Sequence, residues 1–172
     1  TKQAISIYMK DDMCESVFWD VSEVPRGKNC NKRHMIQDIR ILNSETNNFL
    51  YGDTFRFRIR WISENSTDRV LFKAVVATTD AESLGVTFLG ELQCSVGENC
   101  ADFEVDTHCL APGRYATFFK FYDIDELGNG AYYDQCDGIK FNIEHGEDSI
   151  HLKHWFKDWG SVVLPCFHKI EK

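Results

Sequence analysis

The 172-residue sequence predicts an all-β fold, an immunoglobulin-like antiparallel sandwich of seven to nine strands. Three observations carry that prediction. Phe55, Phe57, Ile59 and Trp61 alternate with Arg56, Arg58 and Arg60, the period of two that turns one strand face to a core and the other to water. Short apolar runs recur with turn residues between them, at the spacing of a sandwich. Finally, 13 Phe, 6 Tyr and 4 Trp against only 3 Pro supply a packed interior rather than a disordered tail.

The elements follow in chain order. Residues 1–33 are polar and read as a linker and N-terminal extension, with Pro25-Arg26-Gly27 and Lys28 to Arg33 its most linker-like part. Within it only Ser16 to Val21, around Phe18 and Trp19, has the apolar content to add a short strand or anchor the linker. Residues 34–172 form the sandwich domain. Met35 to Asn43 is a first strand, closed by the turn-rich stretch from Asn43 to Asn48. Gly52 and Asp53 open the alternating strand, and the nearly all-apolar Val70 to Thr78 reads as a central one. Leu84 to Leu92 and Ala101 to Val105 are shorter strands on either side of the polar Ser95–Asn99 turn.

Leu110-Ala111-Pro112-Gly113 is a turn that launches Arg114 to Asp123. Asp125 to Gly130 is a second turn, from which Ala131 to Asp134 returns as a hairpin partner. Gly138 to Glu144 alternates again, with Ile139, Phe141 and Ile143 on one face and Lys140, Asn142 and Glu144 on the other. His151 to Trp159 reads as a short helix or an irregular wrap, and Gly160 to Leu164 as a last strand.

Composition and motifs narrow the function. A formal net charge of −8 disfavours nonspecific nucleic-acid binding, so no nucleic acid is expected as a partner. No apolar run approaches the ~20 residues of a membrane helix. The first ten residues have no secretory pattern, and a start without Met is what a piece of a longer chain would show. Seven cysteines, with no Cys-x-x-Cys pair, suit a reducing compartment. The Asn65-Ser66-Thr67 sequon matters only in a eukaryotic secretory protein.

No phosphate-binding Gly-x-x-x-x-Gly-Lys-Ser/Thr loop and no Gly-x-Ser-x-Gly elbow occurs in the sequence. Asp123 to Asp134 departs from a calcium loop at its fifth and twelfth positions and reads as an acidic hairpin turn. His151 and His154 lack the further ligands a zinc site needs. No spacing singles out a carboxylate pair for glycoside cleavage. Neither an enzyme nor a cofactor or metal is expected.

Arg56, Arg58 and Arg60 are the most suggestive polar feature. At strand spacing they form a ladder of planar forks suited to phosphate or carboxylate. The same residues also fit a solvated outer face whose charges discourage edge-to-edge association.

Several stretches taken together resemble one family. Ile36 to Leu42 precedes a turn, and Tyr51-Gly52-Asp53 leads into the Phe55–Trp61 strand. Leu110 to Tyr115 comes next, then Tyr133-Asp134 ahead of Gly138 to Ile143, and Trp159 to Pro165 closes the pattern. In order and spacing, from about residue 35 to 165, this resembles the C-terminal carbohydrate-binding domain of the ATP-binding subunit of O-polysaccharide ABC transporters.

The resemblance implies a non-catalytic domain that recognises the modified non-reducing end of a bacterial glycan and licenses its export. It implies cytoplasmic residence at the inner-membrane face, with an ATP-binding domain and a membrane subunit as partners. It also implies a homodimer, of a kind that in this family sometimes exchanges its last strand, with the segment from Ser149 to Lys172 contributing to the interface. The family carries no fixed binding motif, so the candidate carbohydrate-binding residues rest on chemistry: Arg56, Arg58, Arg60, Tyr132, Tyr133, Lys140 and Asn142. Trp155 and Trp159 read as core or dimer contacts. The competing reading is an immunoglobulin-like spacer of a surface or secreted protein, in which the cysteines would be paired.

Overall fold

The computed structural model describes residues 16–80, 82–124, 130–146, 155 and 160–163. Nine strands form two facing sheets: β1 (Phe18–Asp20), β2 (His34–Ile41), β3 (Asn48–Leu50), β4 (Thr54–Ser63), β5 (Thr67–Thr78), β6 (Ser83–Cys94), β7 (Gly97–Asp106), β8 (Gly113–Ile124) and β9 (Gly130–Glu144). One sheet has the order β1-β2-β4-β7 and the other β3-β9-β8-β5-β6. The sandwich expected from the sequence is therefore present, antiparallel except where the short β3 runs parallel to β9.

The alternation in β4 does what its period requires. Phe55, Phe57, Ile59 and Trp61 are buried, while the three arginines between them are exposed. Opposite them the second sheet contributes Phe72, Phe119, Phe121, Ile139 and Phe141. The rings stack closely, Phe57 on Phe119 with centroids 5.4 Å apart and Trp61 edge-on to Phe121 at 5.5 Å. Trp61 donates its indole N–H to Cys94 Sγ at 3.3 Å, so the one polar atom of that side chain is satisfied inside the core. At the mouth of β8 the Tyr115 hydroxyl donates to the carbonyls of Ala111 (2.6 Å) and Ser161 (3.0 Å). Burial pushes its pKa up to about 12.

Two expected strands, Ala131–Asp134 and Gly138–Glu144, are one 15-residue strand, β9. The residues between them, Gln135 to Asp137, read as a break because two of the three are polar. In the structure Gly138 instead sits at a register shift, where the Thr117 hydroxyl replaces ladder bonds: it accepts from Ile139 N–H at 2.7 Å and donates to the Ile139 carbonyl at 3.1 Å. Asn48, the last residue of the expected turn, opens β3, which pairs with β9, and Asn47 donates from its side chain to the Lys140 carbonyl at 3.0 Å.

The segment expected to be linker differs most from expectation. Ser16 to Val21 does what was expected of it, Phe18–Asp20 pairing with β2 and Val21 joining the core, but residues 27–32 lie along the edge of β9. Gly27 N–H donates to Gln135 O, Asn31 N–H to Tyr132 O and Lys32 N–H to Tyr133 O, at 3.3, 3.0 and 2.8 Å. Arg26 enters the interior and pairs with Asp134, Nε to Oδ1 at 3.0 Å, with both side chains almost wholly out of solvent. This strap covers an otherwise open β9 edge, which a sequence rich in charge did not reveal.

Residues 125–129 of the expected 125–130 turn and the expected helix or irregular wrap at 151–159, apart from Trp155, lie outside the described residues. Of the expected last strand, Val162 forms a single antiparallel bridge to Leu110. The five described cysteines are all free thiols, and among the described residues no helix is long and apolar enough to cross a membrane.

Candidate functional site

The candidate residues fall on two opposite faces. Arg56, Arg58 and Arg60 line the outer face of the β1-β2-β4-β7 sheet, each directly across from a carboxylate: Glu104 and Asp102 on β7, and Asp38 on β2. Arg58 grips Asp102 with two bonds, Nε to Oδ1 at 2.6 Å and Nη2 to Oδ2 at 2.8 Å. Arg56 donates to Glu104 at 2.8 Å and Arg60 to Asp38 at 2.8 Å. The Arg58 guanidinium holds the Asp102 carboxyl below its ordinary pKa, and the arginine's own is raised in return. The ladder is thus a row of internally matched charges.

Tyr132, Lys140 and Asn142 lie on the outer face of the other sheet. Eight residues of β9 separate Tyr132 from Lys140, roughly 25 Å of strand. They do not form one site. Tyr133 points the other way, edge-on to His34 with centroids 4.7 Å apart, and burial raises its phenol pKa.

His34 itself is buried, with Nδ1 2.9 Å from Ser63 Oγ. Burial holds its pKa below the ordinary 6.5, helped by the nearby Arg33 charge. A group depressed in this way favours the fold while neutral, so its contribution is full above about pH 6.5 and is lost as pH falls through the lower folded value. Between pH 7.5 and 5.5 the melting temperature is expected to fall about 2–3 °C further in the wild type than in His34→Gln. Equal drops in the two thermal melts would show that His34 is not the group responsible. The difference also separates His34 from Asp134, whose carboxyl burial pushes upward and which therefore contributes with the opposite sign.

Around Tyr132 the register builds a more coherent surface. One cross-strand row runs Leu71, Tyr122, Tyr132, the next Phe88, Lys73, Lys120, Gln135, and a third Val86, Val75, Phe118, Asp137. Each row comes from alternate positions whose neighbours, such as Phe72, Phe119 and Phe121, fill the core. Phe88 is 71% exposed, Val86 50% and Tyr132 39%, and the two tyrosine rings lie 6.2 Å apart. The Lys73 ammonium sits 4.3 Å above the Tyr122 ring. An aromatic surface edged by ammonium and amide groups suits the flat apolar face and ringed hydroxyls of a sugar.

Lys73, Lys120, Tyr122 and Phe88 were missed in the sequence because Val70–Thr78 reads as buried on both faces. The available signal was the polar-apolar alternation of Phe118-Phe119-Lys120-Phe121-Tyr122, hidden by aromatic residues on both of its faces. Among the described residues no group of three or more His, Cys, Asp or Glu side chains is placed to hold a metal.

The fold is an all-β sandwich of two facing sheets. No protein-family model and no characterised protein sequence matches the chain. In three dimensions it is similar to the crystal structure of the C-terminal domain of Wzt, with a TM-score of 0.65 at 15% identity, over 88% of this chain and 96% of that one. At that identity the likeness is one of fold.

Proposed function

We propose that this chain is a non-catalytic carbohydrate-binding domain that recognises the modified non-reducing end of a bacterial O-polysaccharide and so licenses its export by an ABC transporter. The observation that supports the reading most is the aromatic and lysine-bearing face around Tyr122 and Tyr132, on a sandwich similar in fold to the Wzt C-terminal domain. In this reading the domain works in the cytoplasm beside the inner membrane, joined to an ATP-binding domain and through it to a membrane subunit. It pairs as a homodimer through residues 149–172, most of which lie outside the described residues.

The test is titration of the isotope-labelled chain with purified O-polysaccharide from the source cell, followed by amide shifts. Tyr132→Ala and Tyr122→Ala are each expected to weaken binding roughly tenfold, the loss of about 1.4 kcal/mol of ring contact. Arg58→Ala, on the far sheet, is expected to bind as the wild type does. Binding that ignores both tyrosines, or that moves amides of β4 and β7 instead, would place the glycan elsewhere. Release of reducing sugar by clean protein would end the non-catalytic reading.

A further inference from the structure

Lys73 and Lys120 stand directly opposite each other on adjacent strands. Like charges so placed repel, and in a sheet such a pair is destabilising unless something answers it. Among the described residues no carboxylate pairs with either, and Lys73 rests instead on the Tyr122 ring. The other cross-strand neighbours are Phe88 for Lys73 and Gln135 for Lys120. Among the described residues neither ammonium forms an ion pair, whereas all three ladder arginines do. Glu91, one row away, is engaged by Arg69 at 3.4 Å, and Asp137 lies across from Phe118. Two uncompensated cations side by side are unexpected in a chain of formal net charge −8.

Both ammonium groups also lie over one ring. Lys73 Nζ is 5.6 Å and Lys120 Nζ 5.8 Å from the centroid of the same Tyr132 ring. We infer that this face takes an acidic group, a carboxylate or phosphate borne on a sugar, between Lys73 and Lys120, with the sugar ring against Tyr132. The inference rests on the carbohydrate reading of this face and adds the charge of what it binds. An anion seated there answers both ammonium groups at once, and the tyrosine beneath supplies an apolar floor that keeps water from competing on one side.

Three probes of similar size separate the possibilities on the full chain in low-salt buffer: methyl glucoside, glucuronate and glucose-6-phosphate, each followed by amide shifts at residues 73, 120 and 132. One or both acidic sugars are expected to bind at least threefold more tightly than the neutral one, and added salt is expected to erase the difference. A preference for one acid over the other tells carboxylate from phosphate. Lys73→Gln and Lys120→Gln are each expected to cost the acidic sugar roughly three- to tenfold and the neutral one much less, with melting temperature held or slightly raised as the repulsion goes.

Equal binding of neutral and acidic sugars at this face, untouched by either glutamine, overturns the acidic-group inference and leaves the saccharide reading standing. Inorganic phosphate, added as a fourth and sugar-free probe, overturns the sugar half of it by binding as tightly as glucose-6-phosphate. No shift at this face with any of the three also overturns it, and if the polysaccharide is silent as well, the carbohydrate reading falls with it.

Discussion

Replacing Arg26 or Asp134 alone by Ala is expected to lower stability by about 3–5 kcal/mol, enough to drop the melting temperature by roughly 10 °C. The reason is burial. The Asp134 carboxylate is fully enclosed and already accepts from Ile36 N–H at 2.8 Å and Gln135 N–H at 2.9 Å, and Arg26 donates through Nη2 to the Ile36 carbonyl at 2.6 Å. Each charge is tolerated only because the other is there, and burial still pushes the Asp134 pKa upward against the pull of Arg26. Removing one partner strands the other in the core. Removing both, as Arg26→Met with Asp134→Leu, is expected to recover most of the loss. Urea unfolding of the three variants checks this. If Arg26→Ala unfolds with the wild type, the strap is not held by this pair.

Gly138→Ala is expected to cost about 2–4 kcal/mol, far more than an added methyl usually does in a strand. Its Cβ would clash with Thr117 Oγ1 and lie 3.1 Å from two Phe119 ring carbons. The phenyl ring is locked in the aromatic stack, so the hydroxyl must yield, and with it both bonds to the Ile139 backbone. The penalty is therefore shared with Thr117. In a double-mutant cycle, Thr117→Ala is expected to cost much less in the Gly138→Ala background than in the wild type. Simple additivity would show that the methyl is accommodated by some other movement.

Much of the fold was legible because burial on one face writes itself as alternation. β4 is the clearest instance, and its inner and outer positions fall as the period requires. The strap was not legible, since Arg26 carries no sequence mark to separate a buried arginine from a solvated one. What distinguishes it is Asp134, more than a hundred residues away. The same limit hid the candidate face. Lysines within apolar strands carry no sign of which strands will lie side by side, and Lys73 and Lys120 become neighbours only through the β5-β8 register. The arginine ladder drew attention because its residues are close in sequence. Their carboxylate partners on β2 and β7 could be assigned only once strand order was known.

The position of β9 has a consequence for how the chain comes to be made. It receives β8 on one side and, on the other, both β3 and the strap, whose partners in it lie about a hundred residues downstream of them. A ribosome adding ~5–20 residues per second needs on the order of 5–20 s to cover that distance. Throughout that interval the strap and β3 have no edge to join and Arg26 remains in water. The Phe-rich inner face of β4 meanwhile lacks the Ile139 and Phe141 that will cover it. The nascent chain is most open to aggregation or capture by a chaperone in that window, which closes only once the residues around Asp134 have left the exit tunnel.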